Sequence, residues 1–196
     1  MKFKSPLIIL ASASPIRLQI LQAHGFNVTV MPADIEEKLI PGESARDYVT
    51  RLAKEKAQAI LQRSDLPVAD VIIAADTTVV CNDQILEKPL NAEHALSMLR
   101  LLSGNTHDVF TGFTLIFLKD RQAATGCSQT VIDFHELNHA QIKDYIDSGD
   151  PFDKAGSYGI QTVRDTFVKR MNGSYFNVMG LPIEDIINVL RQHIQI

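Results

Sequence analysis

The sequence predicts an α/β fold on a mixed sheet, and three observations carry that prediction. Extended and helical patterns alternate through the first half of the chain. Two long extended runs, 107–118 and 123–137, then follow each other across a short polar break at Lys119-Asp120-Arg121, as a hairpin does. Residues that start or stop helices stand at the edges of the helical patterns.

Taken in order, Leu7 to Ala11 is a short apolar run that reads as a buried strand. Pro15 suits a first helical turn, and Leu18 and Leu21 carry that helix to Gly25. Val28 to Met31 reads as a second strand. Ser44, with Asp47 three residues on, opens a long helix whose apolar stripe is Val49, Leu52, Ala53, Ala57 and Ile60. Lys56 falls on the same stripe. Val71 to Ala75 is the plainest buried strand, with Asp76 at its carboxyl end; Thr77 to Cys81 continues extended and Asn82-Asp83 turns it. Asn91 caps a helix through Leu102 that Gly104 closes. After the hairpin, Asn138 and Gln141 form a capping box for a helix that stops at Gly149. Residues 150–161 read as a polar, Gly-rich loop, Phe167 to Met171 as a strand, and Pro182 to His193 as the last helix.

Composition narrows the function classes. A chain of 196 residues suits one domain, and 45% hydrophobic with 21% charged residues is the balance of a soluble globular protein. A net charge of −4 gives no general basic field for nucleic acid or a membrane surface, so any polyanion must meet local cations. Cys81 and Cys127 have no metal-like spacing and read as plain thiols rather than a disulfide. The basic start Met1-Lys2-Phe3-Lys4 precedes an apolar run too short for a signal peptide or a bilayer span, so a cytoplasmic location is expected. The six histidines show no ligand spacing.

Several residues are candidates for chemistry. Ser12-Ala13-Ser14-Pro15-Ile16-Arg17 is a strand-to-helix turn whose hydroxyls, free amides and helix N-terminus suit a phosphate, with Arg17 adding a charged fork. An ordinary N-cap with a solvated arginine is the alternative. Lys56 either snorkels to water or aims into a cleft. Asp76, after five apolar residues, must meet a cation, a metal or a proton, unless it caps a loop through Thr77 and Thr78. Glu36-Glu37 and Glu87-Lys88 read alone as surface pairs, but hard oxygens on several segments are what Mg²⁺ needs beside a triphosphate. Gln161 can both donate and accept, as reading a base requires. No Walker sequence and no Gly-x-Gly-x-x-Gly occurs, which disfavours a P-loop kinase or a dinucleotide enzyme.

The order of the motifs is more specific than any one of them. Ser12-Ala13-Ser14-Pro15 with Arg17, Glu55-Lys56-Ala57, Ala75-Asp76-Thr77, Glu87-Lys88-Pro89, Ser103-Gly104 with His107, Val109 and Thr111-Gly112, Asp153-Lys154-Ala155-Gly156 with Tyr158 to Gln161, and Gly180-Leu181-Pro182 together resemble the Maf family of nucleoside triphosphate pyrophosphatases. The resemblance runs from about Leu10 to the last helix. It implies a single Maf-like domain over 1–196, with an elongated mixed sheet and flanking helices in two lobes around a cleft, as in the inosine triphosphate pyrophosphatase fold. It implies Asp76 as catalytic proton acceptor. Ser12, Ser14, Arg17, Lys56 and Lys88 are the expected phosphate-binding residues, with Glu37 and Asp76 at the metal. The positions tied to base choice match Ile16, Thr77 and Gln161. Thr77 and the Asp-Lys-Ala-Gly…Gly-Ile-Gln segment look like the subgroup acting on dTTP and UTP; Ile16 departs from it, because that subgroup has arginine there.

The expectation is therefore hydrolysis of dTTP or UTP to the monophosphate and pyrophosphate with Mg²⁺ or Mn²⁺. Three other readings stay open at this level: a pyrophosphatase for 7-methyl-GTP or another triphosphate, a phosphatase acting on nucleotides, and a nucleotide- or nucleic-acid-binding regulator of cell division without turnover. The expected partner is the triphosphate. A homodimer is an option the sequence leaves open, and neither membrane nor nucleic acid is expected.

Overall fold

The computed structural model describes residues 5–194, so the basic start Met1–Lys4 lies outside the described residues. Strand β1 is Leu7–Leu10, and Ile8, Ile9 and Leu10 are fully buried, as a strand covered on both faces requires. Helix α1, Pro15–Ala23, begins as expected: Pro15 stands in its first turn, and the Ser14 hydroxyl accepts from the Arg17 amide. Gly25, at φ 80°, takes the left-handed turn that returns the chain into β2, Asn27–Val30. The long helix α2, Ala45–Leu61, is capped by Ser44, whose Oγ accepts from the Asp47 amide at 3.1 Å and donates to Asp47 Oδ2 at 2.7 Å.

Strand β3, Val71–Cys81, runs without interruption through Asp76. Asn82 and Asp83, at φ 49° and 61°, form the tight turn into β4, Gln84–Leu86, which is too short for its pattern to be read from sequence. Helix α3, Ala92–Leu102, is capped by Asn91. Strands β5, Thr106–Phe117, and β6, Ala123–Phe134, form the long hairpin pattern. β6 ends before the expected Leu137, because the Leu137 amide bonds to Ser103 Oγ at 2.7 Å and the His135 amide to the Phe167 carbonyl at 2.8 Å. Helix α4, His139–Asp147, carries the expected capping box. The expected loop at 150–161 is instead wound into two short 3₁₀ turns followed by α5, Ile160–Val163. Pro151 starts the first turn, and Gly149 and Gly156 supply left-handed backbone at φ 80° and 68°. Strand β7, Val168–Asn172, a short α6, Tyr175–Val178, and α7, Ile183–His193, complete the chain.

The sheet is mixed, with strand order β2-β1-β3-β5-β6-β7 and β4 paired to β3. β1 pairs in parallel with both β2 and β3, whereas β6–β7 and β3–β4 are antiparallel. This bears out the α/β class and the mixed sheet.

The residues gather into two compact units. Among the described residues, one holds 5–76, 111–128 and 180–194; its core includes Ile9, Ala11, Ala57, Ile60, Ile72 and Ala74. The other holds Thr77–Phe110 and Gln129–Met179, around Leu99, Leu102, Ile132, Phe134, Tyr158 and Phe167. Cys81 and Cys127 are free thiols, as expected. Among the described residues no helix is long and apolar enough to cross a membrane.

Candidate active site

In the first unit, strand lengths shape the candidate site. The β1–β3 ladder ends at Leu10 opposite Ile73, and the Ala11 amide closes it on the Ile73 carbonyl at 2.8 Å. β1 then turns away at Ser12 into α1 while β3 runs on. Asp76 therefore lies on a strand that has lost this neighbour, not at a strand's end. It is 7% exposed.

Arg17 crosses this opening from the first turns of α1. Its Nε donates to the Gly180 carbonyl at 2.7 Å, and its Nη1 to the Ala75 carbonyl at 2.7 Å and to Ser12 Oγ at 3.1 Å. Burial pulls the guanidinium below its ordinary value, and the charges of Asp76 and Glu37 push it back up. Ser12 Oγ also accepts from the Ser14 amide at 3.2 Å, and Ser14 caps α1. Ile16 is half-buried beside Arg17 on the same helix.

Lys56 resolves the choice left by its sequence: it points inward. Its Nζ lies 2.6 Å from Asp76 Oδ1 and 2.6 Å from Glu37 Oε1. A buried ammonium needs such compensation, since desolvation otherwise costs several kcal/mol. The stem lies on the buried face of α2 with Leu52, Ala53 and Ala57. Ser12, Ser14, Arg17, Glu37, Lys56 and Asp76 thus belong to one constellation within one unit.

Glu37 sits in a stretch without helix or strand, and the residue that fixes this stretch was not read from the sequence. Arg51 of α2 grips Glu43 with a two-pronged fork, Nε to Oε1 and Nη2 to Oε2, each at 2.7 Å. Its Nη2 also holds the Lys38 carbonyl at 2.9 Å, one residue past Glu37, and its Nη1 reaches Glu55 at 3.2 Å. The bond from Arg51 holds the Glu43 carboxyl below its usual range. The Arg51–Glu55 pair is legible as a helical i,i+4 contact; the fork to Glu43, which precedes the helix cap, has no spacing rule. Arg51→Ala should therefore loosen residues 32–43 selectively. Amide exchange there is expected to quicken by at least about tenfold, roughly 1.4 kcal/mol, with β1 and β3 unchanged. Unchanged exchange in that stretch would remove Arg51 from this role.

The remaining expected residues lie in the second unit. Thr77 follows Asp76 on β3 and is half-buried; Lys88 is exposed in the segment after β4; Gln161 is exposed in the first turn of α5. Gln161 makes no side-chain hydrogen bond among the described residues, but its neighbours are firmly tied. Asp150 Oδ2 accepts from Tyr145 Oη at 2.5 Å and from Thr162 Oγ1 at 2.8 Å, and Tyr145 Oη accepts from the Gly159 amide at 2.9 Å. Lys154 Nζ donates to the Asp150 carbonyl at 2.7 Å and pairs with Asp153 at 2.6 Å. Tyr158 anchors the segment to β5, 2.8 Å from His107 Nε2; burial pushes His107 down to about 4, so it stays neutral near pH 7. Tyr145 and Asp150 were not read from sequence, since only the folded segment brings them to Gly159 and Thr162.

A family model described as Maf-like protein matches residues 7–193. A dTTP/UTP pyrophosphatase of Salmonella typhimurium is 46% identical over 186 residues, covering 93% of this chain and 91% of that protein. One from Clostridium perfringens is 43% identical over 187 residues, covering 95% and 96%, and one from Hahella chejuensis is 42% identical over 189, covering 94% and 91%. Among solved structures, the Staphylococcus aureus Ham1 protein aligns with a TM-score of 0.53 at 12% identity, over 96% of this chain and 100% of that one. That likeness carries the fold alone, and it agrees with the fold class the sequence implied. With the family model and these relatives spanning nearly its whole length, the chain belongs to the Maf family.

Proposed function

We propose that this chain hydrolyses dTTP and UTP to the nucleoside monophosphate and pyrophosphate. The observation that carries the proposal is the Arg17–Lys56–Asp76–Glu37 constellation, two cations and two carboxylates brought together on β3, α1, α2 and the preceding loop. The relatives, named dTTP/UTP pyrophosphatases, support the substrate. In this reading the N-terminus of α1, with Ser12, Ser14 and Arg17, receives phosphate oxygens, and Lys56 supplies a further cation. Lys88 is assigned to the phosphates by the family motif. Asp76 orients the attacking water and accepts its proton. Attack falls on the α-phosphorus, and pyrophosphate leaves.

The donors present fit Mg²⁺ or Mn²⁺. Glu37 and Asp76 offer hard carboxylate oxygens from two segments, both close enough to share the Lys56 ammonium. Among the described residues no group of three or more His, Cys, Asp or Glu could hold a metal alone. One or two carboxylates completed by water and substrate phosphates is the usual Mg²⁺ arrangement. When bound, the ion would offset negative charge on the phosphates.

Base choice is assigned to Gln161 and Thr77. The Gln161 amide can donate to a pyrimidine carbonyl and accept from its imide N–H. A site built on such bonds rejects a base that leaves them unpaired. Ile16, where the subgroup has arginine, can form no such bond, so selectivity is expected to be broader here. Gln161→Ala should lower the kcat/KM ratio of dTTP over dATP by about tenfold or more, with kcat for dTTP less affected than KM. A screen of triphosphates scoring pyrophosphate release checks this. A purine triphosphate or 7-methyl-GTP outrunning dTTP and UTP in the unsubstituted chain would contradict the base assignment and leave the reaction intact.

A further inference from the structure

We propose that Lys56 is a resident counter-ion that keeps the divalent metal off the nucleotide-free chain, so that metal binds well only in company with a triphosphate. The inference rests on reading Glu37 and Asp76 as the metal-binding carboxylates.

Two features carry it. The first is space. Lys56 Nζ stands 2.6 Å from Glu37 Oε1 and 2.6 Å from Asp76 Oδ1, inside a site where the lysine and aspartate side chains are 9% and 10% exposed. A divalent ion held by Glu37 and Asp76 would have to compete with the ammonium for the same two carboxylates. The ammonium already engages one oxygen of each, so the ion would have to displace it or be crowded by it. The second is charge. Glu37 and Asp76 face Lys56, and both also act on the Arg17 charge. These two anions and two cations sum to no net charge, so by themselves they offer a dication no net attraction. A triphosphate changes both terms. It adds several negative charges, and its oxygens give the ammonium a new partner, which frees the carboxylates. Lys56 is able to make that move because a lysine head turns on a flexible four-carbon stem.

The consequence runs against the usual effect of deleting a site residue: removing the Lys56 charge should improve metal binding. The test is direct binding of Mn²⁺ to the nucleotide-free protein, followed by electron paramagnetic resonance of the free ion. Lys56→Met keeps the apolar stem and discards the charge; Lys56→Gln serves if the methionine variant does not fold, and Lys56→Arg controls for charge. Lys56→Met or Lys56→Gln is expected to bind Mn²⁺ at least about tenfold more tightly than the unsubstituted chain. Lys56→Arg should bind as weakly as the unsubstituted chain, and adding Glu37→Gln to Lys56→Met should abolish the gain. Equal or weaker Mn²⁺ binding by the charge-free variants overturns the proposal. The metal requirement of turnover then separates two failures. If Glu37→Gln still raises the metal concentration needed, only the counter-ion role of Lys56 falls. If Glu37→Gln leaves it unchanged, the assignment of Glu37 to the metal falls as well.

Discussion

Asp76→Asn should leave a folded chain whose pyrophosphate release is slower by roughly 10²- to 10⁴-fold, the range general-base groups contribute. The substitution keeps the shape of the side chain and removes its charge and its basicity. Its structural cost is contained, because Lys56 retains Glu37 at 2.6 Å as a partner for its ammonium. Glu37→Gln should be milder in turnover, since Asp76 stays in place. Steady-state pyrophosphate release at saturating nucleotide, paired with a thermal melt, separates catalytic loss from unfolding. A folded Asp76→Asn variant turning over at near-normal rate would contradict the assignment of Asp76.

Gly112→Ala should lower stability strongly. Gly112 is buried on β5, and a Cβ built there would stand 2.3 Å from the Val49 carbonyl oxygen, 2.4 Å from its carbon and 2.6 Å from the Thr50 nitrogen. These are backbone atoms of α2, which cannot rotate aside as a side-chain tip can. Relief requires the helix to move from the strand, at about 3 kcal/mol or more. For a chain of this size that corresponds to a melting temperature lower by roughly 6–12 °C. Lys56 lies on the same helix two turns beyond Val49, so displacing α2 also displaces the ammonium between Glu37 and Asp76. Calorimetry and a urea titration check the stability, and a melting temperature within a degree or two of the parent would show that β5 and α2 have slack at this point.

The helices were legible because their signals are local. Ser44, Asn91 and Asn138 are caps whose side chains meet amides three residues on, and each one does so in the structure. Asp76 was legible because five apolar residues leading to a carboxylate leave it partly desolvated. Lys56 was half legible: its stripe position placed the stem in the core but left the head open to two directions, and only the fold brings Asp76 and Glu37 to it. What was not legible depends on long-range geometry. The Gly180 and Ala75 carbonyls that fix Arg17 are backbone atoms, and backbone acceptors leave no trace in residue identity. The Arg51 fork joins a helix to the loop before it, and the Tyr145–Asp150–Thr162 tie forms only once Gly149 and Gly156 have bent the segment. The short turns in that segment lack the length for an apolar period, which is why it read as a loop.

The proposed reaction is water attack at the α-phosphorus, with pyrophosphate leaving. It is tested most directly by hydrolysing dTTP or UTP with Mg²⁺ or Mn²⁺ in water enriched in heavy oxygen and weighing both products by mass spectrometry. The proposed chemistry predicts pyrophosphate without label and a nucleoside monophosphate carrying one heavy oxygen. Label in the pyrophosphate, or orthophosphate and a nucleoside diphosphate as the first products, would contradict it.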